Sequence, residues 1–367
     1  MLLFPWRHLG QGAGFTLACS LWLGSFGGLV PASAESTTAP LVLGQSLPLS
    51  GPSAQLGLEY RRGAQAWFDA VNRDGGIHGR RIELVSLDDQ YEPEQTLANT
   101  RQLLKRSDLL ALFGYVGTPT TKVVLPLIES AAVPLVAPMT GASLLRRADL
   151  RMVFNLRASY RREIAAMVNE LVRDAQHRIA IVYQNDAFGQ DGLEGALIAL
   201  RQHGLKPVLT TTVARNSDQV GDALRELKQV NPNGVLIISA YVSSAALSTA
   251  LRQSGNRAQI MNVSFVGTKA LQRAMPVGES NGIGVTQVVP FPWNRWIPVV
   301  ADYQRCLQRH DVEARFGFTS LEGYLAARMI TEALERAGAA PTRASLAKAL
   351  EPIQGAGFGG LRLDRSS

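Results

Sequence analysis

The stretch Leu41–Pro93, LVLGQSLPLSGPSAQLGLEYRRGAQAWFDAVNRDGGIHGRRIELVSLDDQYEP, constrains the fold more than any other part of this chain. It reads as a strand, a Gly/Pro/Ser loop, a long helix, a Gly-Gly turn, a second strand and an acidic loop. A strand whose carboxyl end passes into a helix-opening loop is the unit of an open α/β sheet, and small ligands are held at such loops. The unit recurs. Strand Arg81–Leu87 leads to helix Glu92–Lys105, and strand Leu109–Tyr115 leads through a Gly/Thr/Pro loop to helix Thr121–Ala131. Strand Val133–Pro138 leads to the loop MTGASLL. Four such units in a row predict a parallel, doubly wound sheet.

A second series follows FNLRASY (Phe154–Tyr160). Helix Arg161–Asp174 precedes strand Arg178–Gln184, the loop NDAFG and helix Asp191–His203. Strand Pro207–Val213, helix Asp218–Gln229, strand Gly234–Ala240, helix Ser243–Ser254 and strand Gln259–Phe265 complete it. The sequence therefore predicts an α/β protein of two Rossmann-like lobes, each with its own parallel sheet. Helices Val299–His310 and Ser320–Ala337 come after a Pro/Trp-rich crossover, Val288–Pro298. There Trp293 and Trp296 are expected to wedge against the lobes rather than stack on a ligand.

The amino terminus predicts export. Arg7 and His8 precede an apolar run, Phe15–Val30, and Ala32-Ser33-Ala34 forms an A-x-A cleavage site before Glu35. This is the pattern of a cleaved signal peptide covering residues 1–34. It is favoured over lipoprotein anchoring at Cys19, because Thr16-Leu17-Ala18-Cys19 is a poor lipobox. Cleavage removes Arg7 and no acid, so the formal charge falls from +7 to +6. The basic residues lie in scattered pairs without interleaved aromatics, which argues against nucleic-acid binding. Cys306 is then the remaining cysteine of two. It allows no intramolecular disulfide and reads as an inert, buried or half-buried thiol.

Catalytic and metal readings find little support. The first strand runs into GQSLPLSG rather than G-x-G-x-x-G, against a nucleotide-dependent enzyme. The histidines are scattered and none stands in triad order with a Ser or Cys. Asp88 and Asp89 are adjacent and point to opposite sides of an extended chain, which suits loop capping better than a metal. No cofactor is expected.

SGPSAQLG, GGIHGRRIELVSLDDQYEP, FGYVGTPTT, VPLVAPMTGASLL, RIAIVYQNDAFG and VLIISAYVSSAALSTALRQSG, in this order and spacing, resemble the periplasmic leucine/isoleucine/valine-binding proteins that serve ABC importers. The resemblance spans Leu41 to the end. It implies the type I periplasmic binding fold: two lobes joined by a three-crossover hinge, here near 157–159, 286–290 and 353–358. Lobe 1 is then 35–156 plus 290–350, and lobe 2 is 157–289 plus 351–367. It also implies a monomer in the periplasm that meets a permease/ATPase complex and binds a small amino acid, carboxylate or amide without chemistry. A sensing module for a membrane receptor would use the same closing lobes. Relative to the family, a final strand or two beyond Ser367 is expected.

The resemblance also implies a site. Thr118 matches the Ser/Thr that binds the ligand's carboxylate, although a Ser/Thr at this place can equally cap the following helix. Met139, Thr140 and Gly141 form the zone of the ammonium-binding carbonyl and a second hydroxyl. Phe188 and Tyr241 match two tyrosines. Four further positions depart from the family: Leu56 stands for an aromatic, Tyr91 and Gly117 stand for a disulfide, and Ser264 stands for the acid that pairs with an ammonium. Asp186 could supply that charge instead. Without it the cleft should bind free leucine, isoleucine and valine only in the high-micromolar range or weaker, about −5 to −6 kcal/mol, and favour a ligand lacking the ammonium.

Overall fold

The computed structural model describes residues 39–353, and the backbone of 357–358 and 361–362. The signal peptide expected at 1–34, with Cys19, lies outside the described residues, as does much of the third crossover.

The first sheet contains β1 (Leu41–Leu47), β2 (Ile82–Asp88), β3 (Leu109–Phe113), β4 (Leu135–Val136) and β5 (Val153–Phe154). Their order is β2-β1-β3-β4-β5, and every pairing is parallel. β1 is buried at all seven residues, as expected of a central parallel strand covered on both faces. Helices α1 (Ala54–Arg73), α2 (Pro93–Leu104) and α3 (Thr118–Ser130) connect these strands. On α1, Leu56, Tyr60, Ala64 and Phe68 recur every four residues and all face the core.

The second sheet contains β6 (Ile179–Gln184), β7 (Leu209–Val213), β8 (Gly234–Ile238), β9 (Gln259–Asn262) and β10 (Gly284–Val285), in the order β10-β9-β8-β6-β7, again all parallel. Around it stand α4 (Tyr160–Arg173), α5 (Ala187–Gln202), α6 (Gly221–Val230), α7 (Tyr241–Gln253) and α8 (Thr268–Ala274). The edge strand β7, LTTTV, alternates in exposure, the pattern of a strand with one wet face.

The chain then returns to the first sheet through α9 (Pro298–His310), α10 (Phe318–Ala337) and α11 (Arg343–Leu350). Arg343 Nε donates to the Leu109 carbonyl at 2.9 Å, and Trp67 Nε1 donates to Thr331 Oγ1 at 2.9 Å. Where α1 crosses α10 the two backbones touch. A Cβ on Gly63 would stand 1.7 Å from the Ser320 carbonyl oxygen, and one on Gly323 would stand 2.0 Å from that of Tyr60. Short strands β11 (Gly357–Phe358) and β12 (Leu361–Arg362) pair antiparallel.

Several boundaries differ from the sequence reading. α3, α5 and α7 begin at Thr118, Ala187 and Tyr241, not at 121, 191 and 243. Their Gly/Thr/Pro and Asn/Asp openings look like loop, yet Pro119 lies in the first turn of α3 and Asp186 caps α5. The wedge expected of Trp296 is corrected: it is 91% exposed. Trp293 is half-exposed and packs on Phe291 and Phe318, with ring centroids 4.9 and 5.9 Å away.

Candidate ligand-binding cleft

The carboxyl ends of both sheets face each other, and their loops carry the predicted residues. Thr118 is the first residue of α3, after Gly117 at φ 100°. The N-cap of α3 is Gly117, so Thr118 lies one residue inside the helix rather than at the capping position. Thr118 Oγ1 instead shares a 2.7 Å hydrogen bond with Thr140 Oγ1, and both residues are fully buried. Thr140 Oγ1 also accepts from the Ala142 N–H at 3.2 Å. The Met139 carbonyl accepts from the Gly117 N–H at 3.2 Å, and the Gly141 carbonyl from the Tyr160 N–H at 2.9 Å. Two hydroxyls at a helix amino terminus, where free N–H groups and the dipole favour negative charge, form a site suited to a carboxylate.

From the second sheet, Phe188 lies in the first turn of α5, fully buried. Its ring centroid is 5.1 Å from that of Tyr160 and 4.8 Å from that of Phe265, which lies 5.9 Å from that of Tyr91. Tyr241 opens α7, and its hydroxyl donates to the Pro52 carbonyl of the first β-α loop. Ser264 starts a 3-10 turn, Ser264–Val266. The structure thus joins Thr118 to Thr140 directly, and brings Phe188 to them through Tyr160. Tyr241 stands at the first β-α loop.

Burial, opposed by the nearby Arg157 charge and by Thr140, pushes the Tyr160 hydroxyl up to about 12. It therefore stays protonated as a neutral donor or acceptor. Asp186 does not fill the role of a spare acid. Its carboxylate accepts from the Phe188 and Gly189 N–H groups and from Gln184 Nε2, and lies 3.7 Å from Arg215. Burial raises its pKa despite these partners. Asp88 caps its own loop, accepting from the N–H groups of Leu49, Ser50 and Gln90.

The lobes are bonded across the cleft. Asn216 Oδ1 accepts from Ser53 Oγ at 2.7 Å, and Asn216 Nδ2 donates to Glu92 Oε1 at 2.8 Å and to the Gln90 carbonyl at 3.0 Å. Arg215 Nη2 donates to Glu92 Oε2 at 2.6 Å, and Gln184 Nε2 donates to the Tyr91 hydroxyl at 3.2 Å. Leu56, at the family's aromatic position, is buried and would be 2.5 Å from a Cβ on Gly267.

Sequence reasoning missed the residues between these walls. Arg157, in the first crossover, is buried and gripped by Glu322 of α10, with Nε to Oε1 at 2.8 Å and Nη2 to Oε2 at 2.9 Å. Burial pulls the guanidinium's pKa down, but Glu322 and then Glu163 outweigh it and raise it. Position 264 itself carries no carboxylate. Glu163 of α4 reaches that loop, and its Oε2 accepts from the Ser264 N–H at 2.9 Å. A charged residue in an amphipathic helix ordinarily faces water, so nothing local in YRREIAAMV marks it. Among the described residues no three His, Cys, Asp or Glu side chains converge as a metal-ligand group.

The family model described as periplasmic binding protein matches residues 40–365. A leucine/isoleucine/valine-binding protein homologue from Brucella melitensis biotype 1 is 25% identical over 333 residues, 88% of this chain and 86% of its own length. The crystal structure of a possible leucine/isoleucine/valine-binding protein from Rhodopirellula baltica superimposes with a TM-score of 0.84 at 35% identity, covering 89% of each chain. A substrate-binding periplasmic protein from Ralstonia solanacearum gives 0.83 at 32% identity, over 87% of this chain and 91% of the other.

Proposed function

The chain belongs to the periplasmic binding protein family, of the leucine/isoleucine/valine-binding type, and from that premise we propose that it is an exported solute-binding protein. It captures a small amino-acid-like or carboxylate solute between two lobes, 35–156 with 290–350 and 157–289 with 351–367. It presents the closed form to an ABC importer, and performs no chemistry on the solute. Export to the periplasm proceeds through cleavage after Ala34.

The observation that carries this reading is the buried hydroxyl pair Thr118–Thr140 at the start of α3, facing an aromatic wall from the other sheet. The bonds of Ser53, Gln90 and Glu92 to Asn216 and Arg215 give closure its own set of contacts. A solute that bridges the lobes shifts the population toward this form by its differential affinity. Thermal-shift screening of amino acids, carboxylic acids and amides, followed by calorimetry, tests the reading, because a solute that binds the folded chain raises its melting temperature by mass action. The mature terminus at Glu35 is tested by intact mass of protein exported in a Gram-negative host; a diacylated Cys19 would show lipoprotein anchoring instead.

A further inference from the structure

The loop between α9 and α10 and the short helix α8 line a cavity of about 580 Å³, within the size range of small-molecule sites. None of Thr118, Thr140, Phe188 and Tyr241 lines it. One wall is aromatic, made by Trp293, Phe316 and Phe318. The rings of Trp293 and Phe318 meet edge to face, with centroids 5.9 Å apart. Phe316 packs on the buried ring of Tyr303, also at 5.9 Å. The Tyr303 hydroxyl in turn accepts from the Gly317 N–H at 3.0 Å and shares a 2.7 Å hydrogen bond with Ser320 Oγ. The loop that carries these rings is therefore held in place. The opposite wall is α8, whose Lys269 Cδ would lie 3.6 Å from a Cβ on Gly317.

Three cationic side chains line the cavity, Lys269, Arg273 and Arg315, and no carboxylate does. Lys269 is already matched: its Nζ donates to the two Glu59 oxygens at 3.2 and 3.3 Å and to the Arg315 carbonyl at 3.0 Å. Arg62 joins that cluster, donating to Glu59 Oε1 at 2.7 Å and lying 3.5 Å from Asp311 Oδ2. Two cations and two carboxylates balance there. Arg273 and Arg315 are exposed, and neither guanidinium makes a hydrogen bond or an ion pair among the described residues. Glu313, exposed on the same loop as Arg315, does not line the cavity. A hydrated arginine is ordinary on an open surface. Here two stand on opposite walls of one aromatic-lined cavity. A guanidinium fork matches a carboxylate, and aromatic walls bury a flat apolar body.

We propose that this cavity is a second binding site, for a flat aromatic carboxylate: the ring lies against Trp293, Phe316 and Phe318, and the carboxylate is held by Arg273 and Arg315. It is separate from the Thr118–Thr140 hydroxyl pair and does not depend on the solute-capture reading. One wall is α8, beside the second sheet, and the other is carried by α9 and α10, beside the first, so an occupant touches both.

The test titrates 2-naphthoate and the neutral 2-naphthalenemethanol into the mature chain by calorimetry at low salt. The acid is expected to bind at least about tenfold more tightly than the alcohol, as a charge-assisted hydrogen bond would give. Replacing both arginines, Arg273→Gln with Arg315→Gln, is expected to remove that preference: the acid's affinity falls about tenfold or more and the alcohol's is unchanged. Both positions are exposed, so the melting temperature of the ligand-free chain should hold. Trp293→Ala is expected to weaken acid and alcohol together, and Thr118→Val to change neither. Equal affinity of the wild-type chain for acid and alcohol overturns the site, and so does no binding of either. A parallel loss of both in the double arginine variant overturns it too, because the guanidiniums then act through the structure and not on the carboxylate. If Thr118→Val weakens 2-naphthoate while the double variant does not, the probe sits on the hydroxyl pair and this cavity is not its site.

Discussion

The ring of Tyr91 occupies the space that a side chain on Gly117 would need: a Cβ built on Gly117 would lie 2.2 Å from Tyr91 Cε2. These are the two positions where the family resemblance implies a disulfide. Here both halves are replaced together by a large ring and an empty Cα. Tyr91 is fully buried at φ 63°, after Gln90 at φ 53°. Two successive left-handed non-glycine residues are costly and persist only where the surroundings hold them. Asp89 Oδ1 receives the Tyr91 N–H at 2.9 Å, and Gln184 holds its hydroxyl from the other lobe.

Gly117→Ala is therefore expected to destabilise the chain by about 2 kcal/mol or more, from the positive φ and the clash combined. Tyr91→Ala should recover the clash component in the double variant, giving a favourable coupling of about 1 kcal/mol in urea unfolding. Purely additive effects would show that ring and glycine are independent.

Thr118→Val should lower affinity for the carboxylate-bearing solute at least about tenfold, since a hydrogen bond to a charged group contributes on the order of 1.5–3 kcal/mol. Calorimetry on the folded variant measures it. An unchanged dissociation constant would remove Thr118 from the site.

Closure has a separable test in Asn216, which sits at φ 55° and bonds Ser53, Gln90 and Glu92 across the cleft. Asn216→Gly keeps that backbone conformation and deletes the bonds. Affinity should fall about five- to twentyfold, corresponding to roughly 1–2 kcal/mol, with little change in melting temperature of the ligand-free chain. A loss confined to stability would make Asn216 a loop residue and not a clasp.

Asp89 sets a pH dependence. Burial pushes its carboxyl up to about 6, although the Tyr91 N–H and the Ser46 and Thr96 hydroxyls all favour the anion. An acid whose folded pKa exceeds its unfolded value takes up a proton on folding. The contribution is present below the unfolded pKa near 4 and is lost as pH rises through about 6. Between those values wild type should lose about 2 kcal/mol relative to Asp89→Asn. Parallel stability profiles for the two proteins across pH 4–6 would assign the titration elsewhere.

The parallel sheets were legible because each strand is an apolar run followed by a helix-opening loop, as in LVLGQSL and RIAIVYQ. Boundaries at Thr118, Ala187 and Tyr241 were less so, because Ser, Thr, Pro and Asp serve both as loop residues and in first turns. In the cleft, Thr118, Thr140 and Phe188 could be carried over by order in the chain, since β-α loops fall at fixed places on the sheet. Arg157, Glu163 and Glu322 could not. Their pairing joins a crossover, α4 and α10, and Arg157 and Glu322 are 165 positions apart in the chain. Local periodicity carries no information at that range. Tyr160 was visible only as the end of FNLRASY, before its ring was known to stand between Thr140 and Phe188.

The most direct test of solute capture is a crystal structure of the mature chain with the solute that most raises its melting temperature. The solute's carboxylate should lie within hydrogen-bonding distance of Thr118 Oγ1, Thr140 Oγ1 and the first N–H groups of α3, with Phe188 and Tyr160 against its body and both lobes closed around it. A solute bound outside the space between the two sheets, or held without contact to Thr118 and Thr140, would contradict it.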